Sequence, residues 1–233
     1  MNNVILVGNG AVDNFDLTGE SINTTIYAGG SADTVTASDM GASLTVLLGN
    51  GADTFNGGNG FSFINTGLGA DTVNGGTGFE RVSYSDSTVG VTVNLDTGVN
   101  TGGTAQGDIL NNIEAVTGSN FDDILIGSTG NDIFTASGGN DIIIGGDGSD
   151  DFSGGGGMDT LTGGAGADFF QVFSYFNNDF ADTITDFETG DVLRLFQGFD
   201  GTSSLLPAFI GTDAFSNIAG ELRSEHSLSL IHI

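Results

Sequence analysis

From Gly118 to Gln171 the chain is a run of six nine-residue units: GSNFDDILI, GSTGNDIFT, ASGGNDIII, GGDGSDDFS, GGGGMDTLT and GGAGADFFQ. The sixth position is aspartate in every unit (Asp123, Asp132, Asp141, Asp150, Asp159, Asp168), and the eighth is apolar in every unit (Leu125, Phe134, Ile143, Phe152, Leu161, Phe170). Glycine holds the first position except at Ala136 and the fourth except at Phe121. A fixed short period of this kind marks a repeat architecture, because a single unit cannot bury its apolar face and must stack on its neighbours. The same register runs through residues 48–83 as LGNGADTFN, GGNGFSFIN, TGLGADTVN and GGTGFERVS, where Asp53 and Asp71 alternate with Ser62 and Glu80 at the sixth position. Farther upstream Asp13, Asp33 and Asp53 recur at a constant, slightly longer interval, each followed two places later by Phe15, Val35 or Phe55. Those turns are longer and poorer in glycine, and Asp13 and Asp33 read as turn formers.

The units fit the pattern G-G-x-G-x-D-x-U-x, with U apolar, that builds metal-binding parallel β-solenoids. Positions 7 to 9 are expected to form a short strand whose central side chain points inward, and glycines at positions 1, 2 and 4 to give the turn its positive φ angles. Two units make one coil, so Asp123, Asp141 and Asp159 fall in one column and Asp132, Asp150 and Asp168 in another. Coils stack at roughly 4.7–4.9 Å. Two carboxylates at that separation repel by about 3.5 kcal/mol at an effective dielectric near 20. The chain has only 3 Lys+Arg against 30 Asp+Glu, a formal charge of -27, so it cannot neutralise these columns itself. A hard divalent cation can, and calcium accepts six to eight carboxylate and carbonyl oxygens where magnesium insists on a strict octahedron. No His or Cys lies in the repeats, which argues against zinc or copper.

Several calcium ions are therefore expected, held by the six aspartates with Gly127, Gly130, Gly139, Gly145, Gly146, Gly148, Gly154, Gly155, Gly157, Gly163, Gly164 and Gly166, and by Asp53 and Asp71 in the first block. The expected fold is all-β: a right-handed parallel β-roll with a C-terminal β-hairpin and aromatic cap. The chain divides into irregular N-terminal solenoid turns (1–47), a first nonapeptide block (48–83), a connecting β segment (84–117), the main nonapeptide roll (118–171) and a C-terminal cap and secretion region (172–233).

Composition narrows the function. A charge of -27 argues against nucleic acid and anionic membranes as partners. No run of 18 apolar residues offers a membrane span, and with 0 Cys there is neither a disulfide framework nor a thiolate site. The stretch VILVGNGAVD (residues 4–13) imitates a dinucleotide-binding turn, but Asp13 replaces the third glycine and no amphipathic helix follows. Aromatics gather at Phe169, Phe170, Phe173, Tyr175, Phe176, Phe180 and Phe187, as expected of a cap over an open solenoid end. Both histidines, His226 and His232, lie in the last eight residues, and no nucleophile, zinc-protease or phosphate-loop motif is present. Glu80 and Arg81 near Asp86 are the only acid–base grouping of note, and an exposed edge explains them equally. No catalytic activity is expected.

With these nonapeptides the chain resembles the RTX (repeats-in-toxin) proteins of Gram-negative bacteria. The segment GGAGADFFQVFSYFNNDFADTITDFETGDVLRL (residues 163–195) is similar to the C-terminal module of serralysin-type metalloproteases, with a D-x-I-x-D-F motif at Asp182, Ile184, Asp186 and Phe187. The connecting stretch at residues 82–127 is also typical of such arrays. The resemblance implies a calcium-filled roll, exported unfolded by type I secretion machinery that reads an uncleaved C-terminal signal, and folded by calcium outside the cell. The protease domain and its zinc motif are absent, so no protease activity carries over. The repeats begin almost at the first residue, as expected of a piece of a larger protein. The open alternatives are an extracellular adhesin or surface-layer component that contacts glycan or protein, and an accessory module of a secreted protease or polysaccharide-modifying enzyme.

Overall fold

The computed structural model describes residues 3–38, 41–174, 182–197, 221–224 and 227–232. Within them the chain is a parallel β-solenoid, and the only helical element is one 3-10 turn at Gly103–Ala105. An eleven-stranded sheet runs the length of one face, from Asn3–Val7 through Ser43–Gly51, Phe79–Ser83, Ile133–Gly138 and Asp151–Gly156 to Val192–Gln197. Two shorter sheets share the opposite face. The first holds Asn14–Asp16, Thr34–Thr36, Thr54–Asn56, Thr72–Asn74 and Ile109–Asn111. The second runs from Thr92–Asn94 through Ile124–Ile126, Ile142–Asp147 and Thr160–Ala165 to Thr183–Ile184, and ends on the antiparallel pair Glu221–Ser224 and Ser227–His232.

The nonapeptide period maps directly onto this architecture. Ile133 pairs with Asp151 and Asp151 with Phe169 in the long sheet, and Ile124 with Ile142 and Ile142 with Thr160 in the second short sheet, so each step along a sheet is two units of sequence. Position 8 always points inward: Leu125, Ile143, Phe152, Leu161 and Phe170 are fully buried and Phe134 nearly so. The phenylalanines align in a column, with ring centroids 6.2 Å apart for Phe134 and Phe152 and 5.2 Å for Phe152 and Phe170. Phe187 continues it at 6.0 Å from Phe170, which places part of the expected aromatic cluster against the last coil. Tyr175, Phe176 and Phe180 lie outside the described residues.

Between the two regular blocks the coil is interrupted. After Phe79–Ser83 the chain turns at buried Tyr84, forms Thr92–Asn94 as the start of the second short sheet, and returns to add Ile109–Asn111 to the end of the first. One excursion thus closes one sheet and opens the other, while the long sheet passes from Arg81 directly to Ala115.

A core built from stacked identical positions leaves a cavity wherever one ring is removed. Truncating Phe152, between Phe134 and Phe170, should cost about 3–5 kcal/mol. Urea unfolding of Phe152→Ala in calcium measures this, and a loss below about 1 kcal/mol would mean the column does not hold the coils together.

Candidate metal centre

Each sixth-position aspartate sits at the end of a turn and leads into a strand, and a single hydrogen-bond pattern joins it to the coils on either side. The backbone N–H of one aspartate donates to Oδ1 of the aspartate one coil later. On one edge of the second half the chain runs Asp123 to Asp141 (2.8 Å), Asp141 to Asp159 (3.0 Å) and Asp159 to Asp182 (3.0 Å). On the other edge it runs Asp132 to Asp150 (2.8 Å), Asp150 to Asp168 (2.9 Å) and Asp168 to Asp191 (3.0 Å). A third ladder occupies the first half: Asp13 to Asp33, Asp33 to Asp53, Asp53 to Asp71 and Asp71 to Asp108. Oδ1 is therefore spoken for by the backbone. The fate of Oδ2 separates the turns into two kinds.

In closed turns Oδ2 accepts the N–H of the turn's own second residue. Asn9 donates to Asp13 at 2.8 Å, Ser119 to Asp123 at 2.6 Å and Ser128 to Asp132 at 2.6 Å. In open turns positions 2 and 4 both lie in the left-handed region, which takes that N–H away. This holds for Ser137 and Gly139 (φ 88 and 123), Gly146 and Gly148 (112 and 117), Gly155 and Gly157 (102 and 141), and Gly164 and Gly166 (96 and 153). It holds equally for Gly49 and Gly51, and for Gly67 and Gly69. At the end of these turns Oδ2 of Asp141, Asp150, Asp159, Asp168, Asp53 and Asp71 is buried without a hydrogen-bond partner.

Glycine serves three separate purposes here. At positions 2 and 4 it permits the left-handed backbone. It also leaves room for the preceding coil, since a Cβ on Gly155 or Gly164 would overlap the carbonyl oxygen of Ser137 or Gly146, and one on Gly157 or Gly166 that of Gly139 or Gly148. Position 1 differs from expectation. Gly127, Gly145, Gly154 and Gly163 are not left-handed; a Cβ on any of them would collide with Oδ2 of Asp132, Asp150, Asp159 or Asp168. The first glycine keeps the space beside the carboxylate clear. Gly127 and Gly130 belong to a closed turn, and neither is left-handed.

An ionised oxygen without partner or solvent is costly, and the titration behaviour reflects it. Burial pushes the Asp141 carboxyl up to about 7 and the Asp150 carboxyl up to about 6, and adjacent ladder carboxylates add to both shifts. Burial likewise pushes Asp71 and Asp182 up to about 7 and raises Asp53, Asp123, Asp132, Asp159 and Asp168. Glu80 is the odd member. It occupies a sixth position, its N–H donates to Glu114 Oε2 at 2.8 Å, and burial pushes it up to about 7. Its longer side chain reaches Ser62 (3.4 Å), and Glu80 Oε2 is buried without a partner. Asp108, Asp182 and Asp191 are ladder members that the nonapeptide pattern does not reveal. Each is followed by the triplet's apolar residue two places on (Leu110, Ile184, Leu193), the one signal they share with the regular units.

The RTX calcium-binding nonapeptide repeat matches this chain in four copies, over residues 48–79, 117–152 and 153–171. A search of curated proteins returned no match. The site fits the ion that these repeats bind. Its donors are hard oxygens, its open carboxylates lack a counter-charge, and calcium supplies that charge. Among the described residues no three His, Cys, Asp or Glu side chains converge on one point, so backbone carbonyls or water must complete any coordination sphere.

The raised carboxyl values set the sign of the pH dependence without calcium. Unfolded aspartates titrate near 3.9, so between there and about 7 the folded state holds protons that the unfolded state has released. Calcium-free stability is greatest below that window and is lost as pH rises through it. In chelator the far-UV β signal should fall from pH 5 to pH 8, whereas saturating calcium should largely remove the fall; a β signal in chelator that rises over this range would contradict the site described. The regular coils of this chain are RTX calcium-binding nonapeptide repeats, wound into a β-roll that binds several calcium ions.

Proposed function

We propose that the chain is a secreted module whose folding is triggered by calcium outside the cell, and that it is non-catalytic by itself. The observation that carries this is the set of buried Oδ2 atoms without partners at Asp53, Asp71, Asp141, Asp150, Asp159 and Asp168. They make the calcium-free roll unfavourable at neutral pH and the loaded roll stable. The ligands in this reading are those six carboxylates, joined by Asp123 and Asp132, and the carbonyls of the turns that carry them. The pairs Asp53/Asp71, Asp141/Asp159 and Asp150/Asp168 join two open turns and are the strongest sites. The pairs Asp123/Asp141 and Asp132/Asp150 each begin on a closed turn, and calcium there displaces the hydrogen bonds from Ser119 or Ser128.

Extracellular calcium modules commonly bind near 10⁻⁴–10⁻³ M. At ten times the dissociation constant each site adds about 1.4 kcal/mol, so a handful of sites is comparable to a whole domain's stability of about 5–15 kcal/mol. Low calcium inside a cell leaves the chain unfolded and fit for export by type I machinery, and high calcium outside drives the roll to form.

A second reading, an adhesin that contacts glycan or protein, draws on the first short sheet. Its outward positions form regular columns: Thr34, Thr54 and Thr72 in one, Asn56, Asn74 and Asn111 in the other. The asparagine amides bond along the column, Asn111 to Asn74 and Asn74 to Asn56 at 3.0 Å each. This is a repeated polar surface of the kind such a contact needs; the equivalent columns of the second short sheet carry Ile124, Ile142 and Thr160, and Ile126, Ile144 and Thr162.

Far-UV circular dichroism of the chelated chain, titrated with calcium, tests the main reading. A cooperative gain of β signal at about millimolar calcium, absent with magnesium, is the expected result. Full β signal in chelator at pH 7.5 would sink the folding switch, and an equal response to magnesium would sink the calcium assignment.

A further inference from the structure

The turn at residues 28–33 reads AGGSAD, with Ala28 at position 1 and Ser31 at position 4, and lies outside the matched repeats. Its geometry is nevertheless that of an open turn. Gly29 and Ser31 lie in the left-handed region at φ 112 and 102. Ser31 N–H donates to the position-3 carbonyl of the next coil, Asn50, at 2.8 Å, as Gly139 does to Gly156 (3.0 Å) and Gly148 to Ala165 (2.8 Å). Asp33 is 1 % exposed, its Oδ1 accepts the Asp13 N–H, and its Oδ2 has no hydrogen-bond partner. The neighbouring turn, 48–53, is open too, with Asp53 Oδ2 buried and unpartnered.

The carbonyl oxygens of Gly29 and Ser31 are directed at that neighbour. A Cβ on Gly49 would overlap the first and a Cβ on Gly51 the second, the relation that Gly155 and Gly157 have to Ser137 and Gly139. The longer spacing of this coil does not disturb the turn. Strands Asn23–Gly30 and Ser43–Gly51 pair Gly29 with Gly49, and Thr34 pairs with Thr54, so both sides of the turn are in register. The extra length falls on the opposite edge: six residues separate Thr36 from Ser43, against four between Asn56 and Phe61. The nonapeptide pattern misses the turn because of that extra length and because Ser31 stands where glycine is expected.

We propose that a further calcium ion binds between turns 28–33 and 48–53, held by the carboxylates of Asp33 and Asp53 and the carbonyl oxygens of Gly29 and Ser31. The inference rests on the calcium reading of the regular turns. It extends the metal-dependent part of the molecule by one coil toward the N-terminus, beyond the recognisable repeats. Ser31 shows that serine serves at position 4 of an open turn, as Ser137 shows for position 2.

The test is a count of bound calcium ions on the full chain by native mass spectrometry, comparing the unaltered protein with Asp33→Asn and Asp150→Asn. Asparagine keeps the Oδ1 acceptor of the ladder and removes the charge. Each variant is expected to lose one ion or more relative to the unaltered chain. If Asp150→Asn lowers the count and Asp33→Asn does not, the N-terminal site is overturned and the calcium reading of the repeats stands. If neither lowers it, that reading falls as well. Should Asp33→Asn not fold, anomalous diffraction from crystals of the unaltered chain grown in calcium decides the matter. A peak at about 2.3–2.6 Å from an Asp33 carboxylate oxygen is expected; peaks along residues 136–168 with none at Asp33 would overturn the site.

Discussion

The structure depends on the division of labour between the two oxygens of one carboxylate. Oδ1 accepts the N–H of the aspartate one coil before it, which ties the coils into single file along each edge. That bond fixes the side chain at the turn's end, and in the main block it holds Oδ2 where a Cβ on Gly127, Gly145, Gly154 or Gly163 would collide with it. A buried charge follows from the geometry, and so does the need for a cation. The same contact that orders the roll therefore buries the charge on which the proposed folding switch rests.

Open and closed turns are two solutions to this one problem. Where position 2 keeps ordinary backbone angles, its N–H satisfies Oδ2 and the turn needs no ion, as at Ser119 and Ser128. Where positions 2 and 4 go left-handed, that N–H leaves and carbonyls face the next coil in its place. In all three ladders the first turn is closed and the middle ones are open, while at two of the ladder ends Oδ2 is again partnered: Asp108 accepts the Tyr84 O–H at 3.1 Å and Asp191 the Glu188 N–H at 2.7 Å. An open turn exposes its carbonyls to the coil that follows, so a ladder gains its metal-binding capacity by stacking. A single coil holds little of it.

Much of this is legible in the sequence. Six aspartates and six apolar residues at fixed offsets impose the two-unit coil, the two columns and the inward position 8. The sequence pattern does not reveal the roles of the individual glycines, because position 1 is glycine for space and positions 2 and 4 for backbone angle, and the letter is the same. Asp33 reads as a turn former because Ser31 stands where glycine is expected and its coil is longer than two nonapeptides; the register that keeps the turn intact exists only in three dimensions. Asp108, Asp182 and Asp191 are hidden by insertions between ladder steps, which break the period while preserving the hydrogen bond. The distinction between closed and open turns lies in backbone conformation, which GS and GG do not encode uniquely: Ser119 and Ser137 share position 2 and adopt different angles.

The central claim is that uncompensated charge on the open turns, and nothing else about them, keeps the roll from forming without calcium. Replacing Asp141, Asp150, Asp159 and Asp168 together by asparagine removes that charge and keeps every Oδ1 acceptor. The measurement is the far-UV circular dichroism of this variant and of the unaltered chain in chelator at pH 7.5. The account predicts more β signal in the variant than in the unaltered chain, and a smaller further gain when calcium is added. A variant as unfolded in chelator as the unaltered chain would contradict it, because the obstacle to folding would then lie elsewhere than in the buried charge.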